Sequence, residues 1–380
     1  MDNNEIALLN LIKKSVFNVE VSFPEDTDWE AVRREAEVQT VVALAGTAVP
    51  KTEYEKWRVP AAQSTAHYIR VLFEQTNLVN LFIKNNIPLV ILKGAAAAVY
   101  YPDPQYRTMG DIDFIVSPEH YQDAVKLMEN NGYVPEEADE ERHRGFSKGG
   151  IAFELHCRYS HKEFDIEPIV TDGMERAVIR TLSGHSFPTL PDFENGFVIL
   201  EHIYHHIHNA IGIRQIIDWA VFVNRVLNDE NYKKGFLPLI ESVGLVAFAE
   251  TLTKMCKMYI GLPDTFSWCD GADADSATEL MQIFVSKGNF GIKAFYKGKR
   301  SLQKFTFNAK RNGFFKTLQE TGVSNFPICQ RNWLFRPFAW LFQTVHFVWR
   351  GIVALLKRER LIKDINDGKK KADLYKRLGL

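Results

Sequence analysis

The spacing of hydrophobic residues predicts helices at both ends of the chain around a short β-rich segment. Over residues 5–86 apolar positions recur every three to four residues, the period of an amphipathic helix. Asp28 precedes the second predicted helix as its N-cap, and Asn85-Asn86 end the longest one, whose apolar positions include Ile69, Leu72, Phe73, Leu78, Leu81 and Phe82. The same period returns from about residue 190 in six segments, 191–209, 213–228, 230–242, 244–260, 275–288 and 300–319.

The middle of the chain carries strand patterns instead. PLVILKG (88–94) is a buried strand that ends in glycine, AAAAVYY is a short helix, and DIDFIV (111–116) is a second strand. Ser117-Pro118 begin a helix that continues to about Asn130. HRGFSKGGIAFELHCRY (143–159) is typical of a hairpin with its turn at Gly149-Gly150. This β-α-β order with a following hairpin predicts an α+β fold, in which helices pack on a small mixed sheet.

Length and composition agree with a folded protein of two or three domains. The chain has 380 residues, of which 46% are hydrophobic and 24% charged, and this balance excludes large-scale disorder. Changes in the pattern predict four regions: N-terminal helices (1–86), a core that contains the strands (87–190), a helical domain (191–320) and basic, aromatic-rich C-terminal helices (321–380).

Cysteine usage and the N-terminus favour a cytoplasmic location. The four cysteines form no CxxC pair or regular spacing, which is typical of reduced thiols rather than of disulfides or a zinc site. The sequence MDNNEIALLNLIKKS has acidic residues where an export signal needs basic ones, and its apolar run is short. We therefore expect no export.

Charge is divided unevenly along the chain. From Lys293 to the end there are 20 Lys and Arg against five acidic residues, a net charge of +15. Because the whole chain has a net charge of −1, residues 1–292 carry −16. Two interpretations remain open: the last quarter faces an anionic membrane surface, polyanion or acidic partner, or it meets the acidic body of its own chain.

The apolar segment 332–360 also has two interpretations. Every window of about 20 residues in it is interrupted by a polar residue, so it is a poor membrane-spanning helix. Its tryptophans (Trp333, Trp340 and Trp349), followed by Lys357-Arg358, would suit a helix in a membrane interface. The alternative is an ordinary packed core helix.

Two aspartates in an apolar strand are the first sign of chemistry. Asp111 and Asp113 are two positions apart and therefore share one strand face, where their like charges require a cation. Glu154 lies in the middle of the next clear strand, FELH, and His156 shares its face. Mg²⁺ typically binds one or two carboxylates together with substrate phosphates, so the carboxylates predict a magnesium site.

The segment just before the aspartates predicts an anion site. A strand that ends at Lys93-Gly94 and turns directly into a helix presents backbone N–H groups to an anion. Lys93 adds a point charge, and Arg107 in the following loop can add another. Together with the carboxylates, this predicts a nucleoside triphosphate held by Mg²⁺.

These motifs resemble a known family. LKG, a loop ending in RTMGDIDFIV, a helix and then FELH are similar to nucleotidyltransferases of the DNA polymerase β-like superfamily, and specifically to its bacterial family of uncharacterised nucleotidyltransferases. The histidine-rich segment 190–223, with its Arg-x-x-x-Asp, is also similar to that family. The resemblance covers roughly residues 60–320 and implies a polymerase β-like palm core.

The resemblance implies roles for individual residues. Asp111 and Asp113 would hold two Mg²⁺ ions, or Mn²⁺ in their place, and Glu154 would complete one site and accept the proton of the attacking hydroxyl. The predicted nucleotide-binding residues are Lys93, Gly94, Ala95, Arg107 and His156. Relatives commonly have Gly-Gly or Gly-Ser where this chain has Gly94-Ala95, so a serine hydroxyl is missing from the phosphate contact.

The implied reaction moves an NMP from an NTP, by default ATP, to a hydroxyl-bearing acceptor and releases pyrophosphate. The acceptor stays open between a small molecule, a sugar or lipid-linked intermediate and a protein side chain. A nucleic acid is not expected because the body is acidic, unless the basic residues 293–316 fold over the sheet.

Two other functions have to be considered. The same fold can be a catalytically idle nucleotide-binding or regulatory module. The histidines (His202, His205, His206 and His208), with Glu201 and Asp218 nearby, could instead belong to a metal-dependent hydrolase, although HExxH is absent. The simpler interpretation is that they line the nucleotide pocket or pair with Asp218, and that Arg214 and Asp218 form an i,i+4 salt bridge.

Overall fold

A computed structural model describes most of the chain. The described residues are 1–136, 143–159, 166–207, 211–287, 301–326, 328–329, 333–356 and 361–379. They form two compact units, Met1–Lys293 and Ala294–Leu380. The finer division into four regions remains a prediction. His208 lies outside the described residues.

The N-terminal region is helical, as predicted. Asp28 accepts hydrogen bonds from the N–H groups of Glu30 and Ala31, both at 3.1 Å, and so caps the second helix. The pattern of DWEAVRREAEVQTVVALAG (28–46) predicts a single second helix, but the structure divides it in two at Thr40, whose φ is 56°. The longest helix ends just before Asn85 as expected. The four helices are α1 (Asn3–Phe17), α2 (Trp29–Val38), α3 (Val42–Gly46) and α4 (Tyr54–Lys84).

A seven-stranded mixed sheet follows, which confirms the α+β prediction. Its order is β3-β4-β5-β2-β1-β7-β6; β1 is antiparallel to β2 and parallel to β7, and β2 is parallel to β5. The β6–β7 hairpin was not predicted, because apolar and polar residues do not alternate along the β6 sequence VIRTL, in which Ile179 and Thr181 are exposed. The strands are β1 (Val90–Leu92), β2 (Ile112–Ile115), β3 (Val134–Pro135), β4 (His143–Lys148), β5 (Ile151–His156), β6 (Val178–Leu182) and β7 (His185–Thr189).

The two faces of the central strands have different surroundings. Ile112 and Phe114 of β2 and Phe153 of β5 lie in one apolar core with α4, where Phe82 contacts Phe114 edge-to-face at 5.4 Å. Side chains alternate along a strand, so Asp113 and its neighbours on the sheet project from the opposite face. Burial of the apolar face therefore determines that Asp113 and its neighbours lie on the other face of the sheet. The helices that connect these strands are α5 (Gly94–Ala98), α6 (Tyr121–Asn130) and α7 (Glu167–Glu175).

Six helices follow the sheet in the described part of the first unit. The first two of them, Asp192–His206 and Ile213–Val226, pack closely at Gly196, where an added Cβ would lie 1.9 Å from the Phe222 ring. The predicted segments 230–242 and 244–260 each contain a π-helical turn, at Tyr232–Phe236 and Cys256–Ile260. The helices are α8 (Asp192–His206), α9 (Ile213–Val226), α10 (Asp229–Asn231), α11 (Leu237–Ser242), α12 (Val246–Met255) and α13 (Ala274–Lys287).

The second unit is also helical. The predicted helix over 300–319 is divided at Gly313, whose φ is 90°. The described helices are α14 (Ser301–Asn312), α15 (Phe314–Asn325), a 3₁₀ helix (Trp333–Phe338), α16 (Ala339–Leu356) and α17 (Leu361–Arg377). Within the described ranges, no helix is long and apolar enough to cross a membrane.

Polar and apolar residues of α16 are arranged in an unusual way. The helix packs on α15 at Gly322, where an added Cβ would lie 2.0 Å from the Ala339 carbonyl oxygen. A polar side chain is among those that the structure shows buried on this helix: Gln343, whose Oε1 accepts a 2.9 Å hydrogen bond from Asn325. The exposed side chains include Leu341, Phe342, Val345, Val348 and Trp349. The described part of this segment is thus not an ordinary core helix.

Candidate active site

The sheet brings two acidic residues together that are far apart in the sequence. β2 and β5 are parallel neighbours, and their register places Asp113 directly opposite Glu154. Asp113 is only 3% exposed, whereas Glu154 is partly exposed. The two carboxylates predicted from separate strands therefore lie side by side on one sheet face.

His156 joins these carboxylates. Its Nε2 lies 3.2 Å from Asp113 Oδ1 and 3.6 Å from Glu154 Oε2. One ligand atom from each of the three residues lies within 4.8 Å of the others, which is close enough to surround one metal ion. Burial alone would lower the pKa of His156, but its hydrogen bonds to Asp113 and Glu154 raise it above the usual 6.5.

Lys93 lies at the turn between β1 and α5 and points at the same carboxylate. Its Nζ donates a 2.8 Å hydrogen bond to Asp113 Oδ1, and its φ is 49°, in the left-handed region. Burial would lower the pKa of Lys93, but the charge of Asp113 outweighs it and raises the pKa well above 10.5. Lys93 and His156 in turn overcome the effect of burial on Asp113 and lower the pKa of that carboxyl.

Asp111 lies just before β2 rather than inside the strand as predicted. The charge of Asp113, together with burial and Glu154, raises the pKa of Asp111 to about 6. The group is not one of the three close ligand residues, but it borders the same cavity. This concentration of negative charge, partly offset by Lys93, is suited to a divalent cation.

A cavity of about 430 Å³ lies between the sheet face and the helices α8 and α9. Lys93, Gly94 and Ala97 border it at the start of α5. The side chain of Ala95 is instead buried in the apolar core, so only its backbone is left to contact a phosphate. No side chain caps the first turn of α5, whose N–H groups lack helical partners.

Arg107 forms a buried ion pair that the sequence did not predict. Its Nε and Nη2 donate hydrogen bonds of 2.8 and 2.7 Å to the two carboxylate oxygens of Asp218, and both residues are buried. Tyr101 donates to the same carboxylate at 2.7 Å. Its guanidinium is thus engaged by α9, and Arg107 also borders the cavity, so its contact with a phosphate stays a prediction.

The predicted salt bridge between Arg214 and Asp218 is wrong, because the carboxylate of Asp218 is paired with Arg107. The loop before β2 packs against α9, and Asp218 forms its ion pair with Arg107 from that loop. Arg214 Nη1 donates instead to the Thr108 carbonyl oxygen at 2.8 Å. Burial, and next the nearby charge of Arg107, lower the pKa of Arg214.

Histidines of α8 form the wall opposite the carboxylates. His202, His205 and His206 all border the cavity, and the rings of His202 and His206 are 4.5 Å apart. Burial lowers the pKa of His202 well below 6.5 and, with His205 and Lys93, that of His206 to about 4. Both imidazoles are therefore neutral at pH 7. Among the residues that the structure describes, the three-ligand cluster is on the sheet, which disfavours a separate hydrolase-type metal site on α8.

Several cavity residues were not predicted. Tyr159 is buried and lies beside Lys93; burial, together with the nearby charge of Glu201 on α8, raises the pKa of Tyr159 well above 10. His143 of β4 and Arg158 also border the cavity. In the sequence, the clearest sign that α8 lines a functional cavity is Glu201, a charged residue in the apolar run ILEHIY. Nothing in the sequence around Tyr159 or His143 indicates that these residues border the cavity.

The protein family follows from the sequence comparison. A family described as uncharacterised nucleotidyltransferase matches residues 25–261, more than half of the chain. The chain belongs to this family. The matched range contains all of the residues that line the cavity, and the family predicted from the motifs is confirmed.

Other comparisons add little to this family assignment. Among curated proteins, none matches the chain. A solved structure, an antigenic nucleotidyltransferase-like protein from Paracoccidioides brasiliensis, is similar over 52% of this chain and 94% of its own, with 14% identity and a TM-score of 0.34. At that level the similarity does not assign a site.

Proposed function

We propose that this protein is a nucleotidyltransferase that moves an NMP from an NTP to a hydroxyl group. The observation that carries the proposal is the parallel register of Asp113 with Glu154, with Asp111 at the edge of the same cavity. Family membership supports it. An idle module would have no use for three carboxylates gathered around one cavity.

The carboxylates are proposed to hold divalent metal ions. Asp111 and Asp113 would bind two ions, Mg²⁺ or Mn²⁺, and Glu154 would complete one of the two sites. Bound metal would supply positive charge next to the attacking and leaving oxygens. The close spacing of ligand atoms from Asp113, Glu154 and His156 supports this assignment.

The proposed reaction is an in-line displacement at the α-phosphorus. The acceptor oxygen forms a bond to the α-phosphorus while the bond to the α,β-bridging oxygen breaks, and pyrophosphate leaves with that electron pair. Glu154 accepts the proton of the attacking hydroxyl. The cavity enclosed by the sheet and α8 positions the reactants, which together with electrostatic stabilisation supplies most of the catalysis.

The phosphates are proposed to lie at the start of α5. Gly94 and the N–H of Ala95 would contact the β- and γ-phosphates, with Lys93 as the cationic side chain. A divalent ion bound to Asp113 would compete with the Lys93 ammonium, which then could turn to the triphosphate. His156 lies too close to Asp113 and Glu154 to be assigned simply to the nucleotide.

A nucleotide panel tests the function. Purified protein is incubated with each α-³²P-NTP, Mg²⁺ or Mn²⁺, and cell extract as acceptor, with ATP as the default donor. We expect label transfer and pyrophosphate release that Asp113→Asn reduces by at least about a hundredfold, whereas Asp103→Asn, an exposed control in the preceding loop, does not. Binding of metal–nucleotide without transfer would instead indicate a regulatory module, and no binding at all would exclude both functions.

We propose in addition that the protein acts in the cytoplasm at an anionic membrane surface, which α16 contacts. Its exposed apolar residues recur at helical spacing (Leu341, Phe342, Val345, Val348 and Trp349) and so form one face, the apolar face of α16. Residues 293–380 carry a charge of +15, which favours anionic lipid as the binding partner of this face. The same charge disfavours pairing with a second copy of the segment, because the two copies would repel each other. A membrane acceptor, such as a lipid-linked sugar, would suit such a location.

Liposome flotation tests the membrane contact with the full chain. We expect the protein to float with vesicles containing anionic phospholipid and to stay unbound with neutral vesicles. Val345→Asp, at a position 63% exposed, should abolish flotation, whereas Ile179→Asp on β6, at a position 67% exposed, should not. Equal binding to neutral vesicles, or equal loss in both variants, would contradict the proposal.

A further inference from the structure

His156 is placed as a metal ligand would be. Adjacent ligand atoms around a six-coordinate ion with bonds of about 2.1 Å are separated by about 3 Å. His156 Nε2 lies 3.2 Å from Asp113 Oδ1 and 3.6 Å from Glu154 Oε2. The imidazole nitrogen and the two carboxylate oxygens can therefore occupy the coordination sphere of one ion after small adjustments.

The fold holds this imidazole in place. His156 ends β5, and its backbone lies between Ile115 of β2 and His143 of β4 in the sheet. Its ring is buried, with the ring of His143 at 5.5 Å and that of Tyr159 at 5.7 Å. A side chain fixed between two paired strands and two rings is preorganised, as a ligand needs to be.

We propose that His156 is a direct ligand of the ion held by Asp113 and Glu154, and that it makes this site prefer Mn²⁺ to Mg²⁺. The inference deepens the proposed function and rests on it for the presence of an ion. Carboxylate and water ligands suit both ions. An imidazole nitrogen is a poor ligand for the hard ion Mg²⁺, which takes oxygen ligands, whereas Mn²⁺ is a first-row transition metal and accepts nitrogen as well as oxygen ligands. The mixed set of two carboxylates and one imidazole thus distinguishes between the two ions.

The competing role is that His156 only orients Asp113 by a hydrogen bond. Lys93 already donates to the same Oδ1 at 2.8 Å, so Asp113 has a positioning partner without the imidazole. His156 is also within reach of Glu154, which an orienting group for Asp113 would not require. A ligand has to face both carboxylates, and His156 does.

Pulsed electron paramagnetic resonance of the full-length protein with Mn²⁺ tests the ligand directly. The wild type should show the ¹⁴N coupling of a directly coordinated imidazole. His156→Gln should remove it and His143→Gln, at a neighbouring ring on the same cavity, should keep it. Absence of the coupling in the wild type overturns the inference whether or not any variant folds, and so does a coupling that survives in His156→Gln.

Calorimetry tests the metal preference without any nucleotide. His156→Gln should weaken Mn²⁺ binding by about tenfold or more and change Mg²⁺ binding much less, so that the Mn²⁺/Mg²⁺ affinity ratio falls. An equal loss for both ions would assign His156 to positioning and overturn the inference. These measurements do not involve NMP transfer, so the two proposals can fail separately. Mn²⁺ ligation by His156 without NMP transfer would contradict only the proposed function. NMP transfer together with an unchanged ion preference in His156→Gln would contradict only this inference.

Discussion

Arg107 and Asp218 are joined by two hydrogen bonds of 2.8 and 2.7 Å, and both side chains are almost fully buried. Arg107 belongs to the loop before β2, and Asp218 belongs to α9. The pair therefore connects the acidic sheet face to the helices that form the other wall of the cavity. Its role is to hold these walls together.

Breaking this pair should be costly. Asp218→Asn leaves the Arg107 charge buried without its counter-ion, and we expect a loss of about 3–5 kcal/mol in the free energy of unfolding. Replacing both partners, Arg107→Met with Asp218→Leu, should restore much of that loss. Urea denaturation measures both effects.

The exposed i,i+4 pair of Glu230 and Lys234 provides the control. Glu230→Gln should change the free energy of unfolding by less than about 1 kcal/mol. A loss from Asp218→Asn that is no larger than this would contradict a structural role for the buried pair.

Lys93→Met should change metal and nucleotide binding in opposite directions. Without the ammonium on Asp113, Mn²⁺ should bind the nucleotide-free protein roughly fivefold to tenfold more tightly, because a competing positive charge is removed. NTP should bind more weakly by a similar factor because a phosphate contact is lost. Calorimetry measures both affinities, and Lys93→Arg keeps the charge as the control. Weaker binding of both ligands would show that Lys93 does not compete with the metal.

His206 should make the protein sensitive to acid. Its folded-state pKa is about 4, against 6.5 for an ordinary histidine, so the unfolded state takes up a proton first as the pH falls. The resulting stabilisation is present above pH 6.5 and is lost between pH 6.5 and 4, and it amounts to roughly 1–3 kcal/mol.

The charged and titratable neighbours of His206 are His202, His205, Lys93, Glu201 and Asp113. Because these groups also respond to pH, the contribution of His206 is measured as a difference in pH dependence between a His206 variant and the wild type. Denaturant unfolding at pH 7 and pH 4.5 should show a smaller loss of stability for His206→Gln than for the wild type. His120→Gln, on the turn before α6, should behave as the wild type. An identical pH dependence for all three proteins would rule out the effect.

Gly196→Ala should disturb the packing of α8 on α9. The added methyl group would lie 1.9 Å from the Phe222 ring, which is buried against Tyr100, Trp219 and Phe236. We expect a loss of about 1–3 kcal/mol. Gly271→Ala, where an added Cβ meets nothing within 4 Å, is the control. Thermal unfolding compares them, and equal midpoints would contradict the close packing at this glycine.

Local patterns in the sequence were sufficient for the class of fold. The helical period predicted α1, α8 and α9, and alternation within apolar strands predicted β2 and the β4–β5 hairpin, because burial of one face leaves its spacing in the sequence. The same local rule identified Asp113 and Glu154, since a charge inside an apolar strand is conspicuous wherever the strand lies.

The tertiary structure decided which side chains meet. Arg107 is paired with a residue 111 positions away, and His156 reaches a carboxylate 43 positions away. The exposed apolar face of α16 was also invisible, because the period of a helix shows that it has an apolar face but not whether that face is covered. Spacing along the chain reports local geometry, whereas pairing and burial depend on how separate elements pack, and that is set only when the whole fold forms.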